Sequence, residues 1–494
     1  MNPTRRLPVE ILGEIFIYWQ ADSGNSMSIV PTQICRHWRA VALATSKLWS
    51  HLKIQLDSRD KVANAEMAPL WLQRSGGQPL TIELGYPNIW ESWWSAPNSE
   101  QPVVYSAIRR QAHRWKDATF HSNKHMVPFL QDIPENLPIL ERLYINGPGD
   151  SMELPCSLSN FRHAPTLRDL TLDRRISLAM PEVPWAQLTK CTLMIGGRYT
   201  CEDGYHVISQ AANLRSFTIS IDAPSTSTSL PSLVRQVNLV SLEIWVTPGE
   251  SAESLFDICI LPALAELKFR GSRFDSSPEY LANFVIRSGC LLKQLGLGIE
   301  GITSAELELL FNLTPALSEL ASWGNALRIP DVSIDLLTHR PNHSPGKCCL
   351  LPKLTSIKVS VHEGFSYEKF VKLLSSRRGV VACGSGGTGL AQLRKATLMI
   401  TQSDEGRYSA NGRRTYHLPW DTYNDFVDLR DNGLDFLVHK DDPLSLEDYF
   451  LPGDAEDDSD EEEGFEHEED HEFEDEDEYY SDESIMWGSG YELY

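Results

Sequence analysis

The sequence contains no apolar run approaching the roughly eighteen uncharged residues that a membrane-spanning helix needs, so no bilayer span is expected. It has no C-x-x-C pair either, and its nine cysteines stand at irregular positions, 35, 156, 191, 201, 259, 290, 348, 349 and 383. That pattern suits neither a disulfide framework nor a zinc site, and it predicts small core residues in a reducing compartment. Arg5 and Arg6 precede an apolar stretch, but Glu10 and Glu14 interrupt it, so a secretory signal is also missing. These absences predict a soluble, intracellular protein, cytoplasmic or nuclear, without a membrane partner.

After Lys440 there is no lysine or arginine, while 25 of the 68 acidic residues lie between Asp441 and Glu492. The chain before that point holds 43 acids against 44 bases, so the net charge of −24 describes a tail attached to a near-neutral body. With no Lys/Arg surplus to neutralise phosphates, nucleic acid is excluded as the first-choice partner.

What is present begins at the N-terminus. Leu7, Ile11, Leu12, Ile15 and Phe16 recur at helical spacing, with Pro8 suited to a first turn. A polar stretch from Ala21 to Ser28 interrupts the pattern. A second helical run from Pro31 sets Ile34, Cys35, Trp38, Val41 and Ala42 opposite Arg36, His37 and Arg39, and Leu48-Trp49 and a strand-like Leu52–Leu56 come next. Three such short helices bury little surface by themselves, so a partner or the next domain must complete their packing.

The blocks Leu7-Pro8-x-Glu10-Ile11-Leu12-x-x-Ile15-Phe16, Ile34-Cys35-Arg36-x-Trp38-Arg39-x-x-Ala42 and Leu48-Trp49, in this order, resemble an F-box, most of all those of the large F-box families of mushroom-forming fungi. Trp71-Leu72-x-Arg74-Ser75-Gly76-x-x-Pro79-Leu80-x-Ile82-x-Leu84 and His113-Arg114-Trp115-x-x-Ala118-x-Phe120 resemble the segments C-terminal to the F-box in that group. The Ala21–Ile29 connection is longer and more polar than a minimal F-box loop. The resemblance implies helices that dock on a Skp-type adaptor and, through it, a cullin. Leu7, Pro8, Ile11, Leu12, Ile15 and Phe16 would then supply most of the adaptor-facing surface. Ile34, Cys35 and Trp38 would divide between that interface and the F-box core. The alternative is that the same residues form the core of a small helical cap on the next domain.

From residue 115 onward the pattern apolar-x-x-apolar-x-apolar recurs, as in Leu140-x-x-Leu143-x-Ile145, Leu167-x-x-Leu170-x-Leu172 and Leu239-x-x-Leu242-x-Ile244. First positions fall at 115, 140, 167, 188, 214, 239, 264, 292, 317, 354 and 393, a period near 25. That period predicts a degenerate leucine-rich-repeat solenoid of the α/β class, with a strand and a helix or loop in each repeat. Glu279–Ser288 and Ser304–Leu313 have the spacing of outer helices. The Asn or Cys usual after the strand motif is mostly absent, and Ser322 stands where an apolar residue belongs.

Strand alternation sends 143, 145, 170, 172, 242 and 244 inward and places Tyr144, Thr171, Thr192, Thr218, Glu243, Trp245, Lys268 and Lys358 on the exposed, expectedly concave face. Trp323 falls there by the same count. Among these, Tyr144, Glu243, Trp245, Lys268 and Trp323 are the candidates for contact with a protein client, each tryptophan serving either as an anchor or as a side chain covered by a loop. The Pro-flanked Trp90, Trp93 and Trp94 cluster is read as a plug on the first turn or a contact loop.

Two motifs mimic catalysis. Gly384-Ser385-Gly386-Gly387-Thr388-Gly389 spells a dinucleotide loop, but only Leu390–Ala396 separates it from the next strand, too short for the helix such a site requires. His467-Glu468-Glu469-Asp470-His471 spells H-E-x-x-H inside a run of carboxylates rather than on a buried helix. His121 and His125 lack further ligands at suitable spacing. No catalytic residue, cofactor or metal is assigned.

The predicted organisation is an F-box at 1–52, a connecting region and N-terminal cap at 53–112, a solenoid at 113–436, and an acidic, largely disordered tail at 437–494. In 454–483, 20 of 30 residues are acidic, and self-repulsion opposes a packed core there. Solubility, docking of a basic protein, and phosphorylation at Ser459 or Ser481 are the roles open to it. The resemblance implies a non-catalytic, substrate-recognising subunit of a Skp/cullin/F-box ubiquitin ligase. The alternative is a repeat scaffold whose F-box-like helices act in packing or in a cullin-independent complex.

Overall fold

The computed structural model describes residues 7–453 apart from 24–29, 56–60, 86–100, 122–125, 147–157, 174–182, 195, 197, 225–231, 272–278, 300–301, 323–330, 340–349, 362–364, 379–390, 401–406, 409–413, 440–442 and 445–449. Trp90, Trp93, Trp94, His125, Trp323, the 384–389 glycine loop and the acidic 454–494 segment with its H-E-x-x-H string therefore lie outside the described residues.

In chain order the strands are β1 (His51–Gln55), β2 (Leu80–Gly85), β3 (Trp115–His121), β4 (Arg142–Asn146), β5 (Asp169–Asp173), β6 (Lys190–Leu193), β7 (Ser216–Ile221), β8 (Val234–Arg235), β9 (Ser241–Val246) and β10 (Cys259–Ile260). They continue with β11 (Glu266–Gly271), β12 (Gln294–Ile299), β13 (Glu319–Ser322), β14 (Ser356–Val361), β15 (Lys395–Ile400), β16 (Arg407–Tyr408), β17 (Arg414–Pro419), β18 (Asp435–His439), β19 (Pro443–Leu444) and β20 (Phe450–Gly453). Fifteen of them form one sheet whose spatial order is the chain order, with β8 paired to β10, and β16, β17 and β20 together, outside it. From β1 to β18 every pairing in the sheet is parallel; only β19 returns antiparallel.

The repeating leucines explain this ladder. Leu140, Leu167, Leu188, Leu214, Leu239, Leu264, Leu292, Leu317, Leu354 and Leu393 each enter just before a strand, and none is more than 1% exposed. The next apolar positions stand opposite one another across the sheet, Leu143 to Leu170 to Cys191 to Phe217 to Leu242 to Leu267 to Leu295. Each repeat thus buries its apolar row against equivalent rows on either side, which a single repeat cannot do alone. Cys191 and Cys259 are buried and reduced; burial drives both thiols upward, that of Cys259 to about 12.

The return segments supply the second layer. The helices are α1 (Val9–Ser23), α2 (Val30–Ile34), α3 (Arg36–Ala44), α4 (Lys61–Arg74), α5 (Gln101–Arg109), α6 (Val127–Gln131), α7 (Cys201–Gln210), α8 (Glu253–Ile258), α9 (Glu279–Ser288), α10 (Ser304–Leu313), α11 (Asp331–Leu337), α12 (Tyr367–Ser376) and α13 (Trp420–Asp431). Helices α9 and α10 occupy the two segments that their spacing predicted. Capping boxes, Thr200 with Asp203 and Thr303 with Glu306, start α7 and α10. Aromatic side chains join the layers: Phe256 of α8 lies 5.6 Å from Phe269 of β11, 5.3 Å from Tyr280 and 5.0 Å from Phe284 of α9.

The sheet extends beyond the predicted solenoid limits of 113 and 436. It starts at His51, because Trp49-x-x-Leu52-x-Ile54 is itself a repeat motif with tryptophan in the leucine place, and it takes in β18, where Val438 is fully buried. The predicted boundaries at 52 and 437 both fall inside strands.

Candidate functional site

Helix α1 has apolar side chains on two of its faces. Leu12 and Phe16, each 1% exposed, join Val41, Ala42, Leu48 and Trp49 in a small core. Gly13 lies against the end of α3, where a Cβ would come within 3.1 Å of the Thr45 hydroxyl. On the other side, Ile11, Ile15 and Tyr18, spaced by four and three residues and hence on one face, are 50%, 45% and 80% exposed. Leu7 and Val9 precede them, 37% and 51% exposed, and Pro8 is exposed as well, its carbonyl accepting the first-turn bond from the Leu12 N–H.

The predicted second helix is two helices. Cys35 takes an extended conformation (φ −157°, ψ 166°) between α2 and α3, and its Sγ caps α3 by accepting from the Trp38 N–H. Ile34 is 53% exposed and Cys35 is exposed, whereas Trp38 is half-buried, its ring 5.1 Å from Phe16. Of the residues carried over from the F-box resemblance, Leu7, Pro8, Ile11, Ile15, Ile34 and Cys35 are thus open to a partner. Leu12 and Phe16 are corrected to supports of that face, because the three helices are short enough to need both for their own core.

This small core is continuous with the sheet. The Trp49 indole N–H donates to the Ala42 carbonyl at 2.8 Å, its ring meets Trp71 of α4 edge-on at 5.6 Å, and the Arg74 guanidinium lies 4.6 Å over it.

The open face of the sheet is the second candidate region. Alternation places Leu143, Ile145, Leu242 and Ile244 inward, at most 2% exposed, and leaves Tyr144, Glu243, Trp245 and Lys268 partly exposed. The pairing sets Thr119, Tyr144, Thr171, Thr192, Thr218, Glu243 and Lys268 in a single row across seven strands. Glu243, Trp245 and Lys268 come together: the Trp245 indole N–H donates to Glu243 Oε1 at 2.7 Å, Lys268 Nζ lies 3.7 Å from Glu243, and Arg270 sits 5.7 Å over the Trp245 ring. Tyr144 stands four strands away, about 19 Å at the usual strand spacing, and its hydroxyl donates to Asp173 at 3.0 Å.

Charged pairs accompany this row. Lys53 contacts Glu83 at 2.7 Å, Arg142 grips Asp117 at 2.5 and 2.8 Å, and Lys190 lies 3.3 Å from Asp169. Arg270, Asp173 and Lys395 were not singled out from the sequence. For Arg270 and Asp173 the signal is the row itself, since each lies two residues along its strand from a position already placed on the face, whereas Lys395 is reached only through the pairing of Thr397 with Lys358. Among the described residues no three His, Cys, Asp or Glu side chains group as a metal site, and no helix is long and apolar enough to cross a membrane. No protein-family model matches the chain, and no curated protein matches it.

Proposed function

We propose that the chain is the substrate-recognising subunit of a Skp/cullin/F-box ubiquitin ligase, in which the N-terminal helices hold the adaptor and the open strand face holds a protein client. The observation that carries this reading is the second apolar face of α1. Ile11, Ile15 and Tyr18 are large, exposed and aligned, while the helix already has a complete inner face, and an uncovered apolar stripe of this kind is the surface a partner protein covers. The work of such a subunit is proximity: holding client and conjugating enzyme in one assembly makes transfer effectively intramolecular, with no catalytic group required from this chain.

A second reading has its own observation. The contact of Trp49 with Trp71 and Arg74 ties the helices to the start of the sheet, which is what an end cap of a repeat scaffold requires. Co-purification with a Skp-type adaptor and a cullin separates the two. The wild-type chain is expected to recover both, and Ile11→Asp/Ile15→Asp, which alters only exposed positions, to lose them while keeping its circular dichroism spectrum. A folded wild-type chain that recovers no adaptor leaves the scaffold reading.

A further inference from the structure

The parallel strands start along one rim of the sheet, and that rim differs in chemistry from the open face. Backbone bonds carry a row along it: the Val240 N–H donates to the Arg215 carbonyl, Ala265 to Val240, Lys293 to Ala265, Ser318 to Lys293, Thr355 to Ser318 and Arg394 to Thr355. The segments that follow the rim are 211–215, 235–240, 260–265, 289–293, 315–318, 352–355 and 391–394. They contain five cations, Arg215, Arg235, Lys293, Lys353 and Arg394, and no carboxylate. All five are exposed.

Apolar side chains gather at the same place. Among the described residues beyond α5, every large apolar side chain left exposed lies between Leu233 and Leu309. Val237 (55%), Val240 (42%) and Leu291 (70%) stand in the rim segments themselves, and Leu233 (62%) just precedes β8. Ile286 is in the last turn of α9, which reaches the rim, where the Ser288 hydroxyl accepts from the Leu261 N–H at 3.1 Å. In the row, Val240 and Ala265 fill the two places between Arg215 and Lys293.

The rim cations have no anion of their own. Asp257 lies near the end of α8, and Glu266 and Glu319 follow Ala265 and Ser318 by one position, on the open face. Neither these nor any other described carboxylate forms an ion pair with Arg215, Arg235 or Lys293. Arg215 and Lys293 are three strands apart, and so are Lys293 and Arg394, about 14 Å in each case at the usual strand spacing. An extended peptide covers that distance in about four residues.

We propose that this rim is the docking surface for an extended, acidic segment of a partner protein, with carboxylates at Arg215, Lys293 and Arg394 and leucine- or valine-sized side chains between the first two. Carboxylates complement the unpaired cations, and the apolar side chains between them remove Val237, Val240 and Leu291 from water. The apolar part is closed at each end by a cation, the size of a short peptide rather than of a bilayer contact. Phosphates of a nucleic acid would meet Val240 and Ala265, which offer them no charge. This inference depends on neither the adaptor helices nor the open face.

The test uses the full-length chain and three pools of fluorescent sixteen-residue peptides. The first has glutamate at every fourth position, leucine or valine two residues after each glutamate, and random residues elsewhere. The second has lysine in place of glutamate, and the third has serine in place of leucine and valine. Binding is read by anisotropy, and its place by carbodiimide coupling, which joins a bound carboxylate to a lysine amine that mass spectrometry then identifies. The glutamate pool is expected to bind saturably and to couple to Lys293, and the other two pools to bind about tenfold more weakly. Arg215→Glu/Lys293→Glu, at two exposed positions, should keep its circular dichroism spectrum, lose the glutamate pool and gain the lysine pool. Leu291→Asp should keep the spectrum and lose the glutamate pool, and Lys268→Gln on the open face should bind as wild type does. Coupling to Lys268, Lys358 or Lys395 in place of Lys293, equal binding of the glutamate and serine pools, or unchanged binding by Arg215→Glu/Lys293→Glu each overturns the proposal. So does tighter binding to phosphatidylserine vesicles than to the glutamate pool. Adaptor recovery by these variants should equal that of wild type, so failure here and failure of the ligase reading are seen in different measurements.

Discussion

Lys358 and Asp117 show how far single side chains on the open face depart from their types. Lys358 is depressed by burial and by its two lysine neighbours. A lysine whose folded pKa is lowered opposes folding below that pKa, and its opposition fades as pH rises toward the unfolded value. Lys358→Met is therefore expected to raise the thermal midpoint at neutral pH, with the gap to wild type closing in alkaline solution. A gap unchanged with pH would assign the effect to packing. For Asp117, burial pushes the carboxyl upward, but the two-pronged Arg142 contact and the Thr81 hydroxyl outweigh it and hold the group below its ordinary range. A depressed carboxyl contributes stability above its unfolded pKa and loses it as pH falls through the folded one. Because the Arg142 side chain is 65% exposed, Arg142→Ala is expected to cost only about 1 kcal/mol in urea melts at neutral pH. The difference should shrink in acid below the ordinary carboxylate range.

Within each strand, the two faces have different energetic roles. Leu242 faces inward at 2% exposure and is set between Phe217 and Leu267, whereas Glu243 faces out. Leu242→Ala is expected to cost about 3 kcal/mol in chemical denaturation, and Glu243→Ala less than about 1 kcal/mol. The strands of the large sheet from β3 to β15, a set without β8 and β10, were legible because the apolar-x-x-apolar-x-apolar pattern returns at each of them. Others were not read as members of the repeat, for identifiable reasons. In β1 the leading residue is Trp49, which the F-box pattern had already claimed. In β18 the leading Leu434 stands two residues before Phe436, one fewer than the three between Leu393 and Ala396, so the motif is out of phase although the strand pairs in register. The break at Cys35 was illegible because its apolar neighbours continue the helical spacing across it, and only the backbone shows the cap.

At the scale of the whole molecule, the two candidate surfaces lie on different elements and serve different ends. The apolar one is a helix face at the N-terminal end, the polar one a row that runs from strand to strand. The acidic segment adds a third property. A chain ending at Gly453 retains the whole of the compact unit Met1–Gly453, so it is expected to keep its thermal midpoint. If the segment docks a basic partner, that binding should vanish in the truncated chain and weaken steeply with salt in the intact one. Salt-independent binding would exclude the electrostatic role.

The amino-acid sequence by itself determined the repeat, because neighbouring rows of leucine bury one another only at a constant period, and it determined where the charge lies, because composition needs no fold. It also marked α1 as a helix, through Leu7, Ile11, Leu12, Ile15 and Phe16 at helical spacing. Which of those residues turn outward was decided by the tertiary structure, through the close approach of Gly13 to Thr45 and the closure of Leu12 and Phe16 on Trp49. The pairing register likewise decided what stands beside what. Lys268 and Lys358 are ninety residues apart in the chain and share a row only because Gly296 and Ala321 fall between them in the sheet. Periodicity specifies that a strand exists and which face is buried; the company its exposed side chains keep depends on contacts between strands that no local pattern contains.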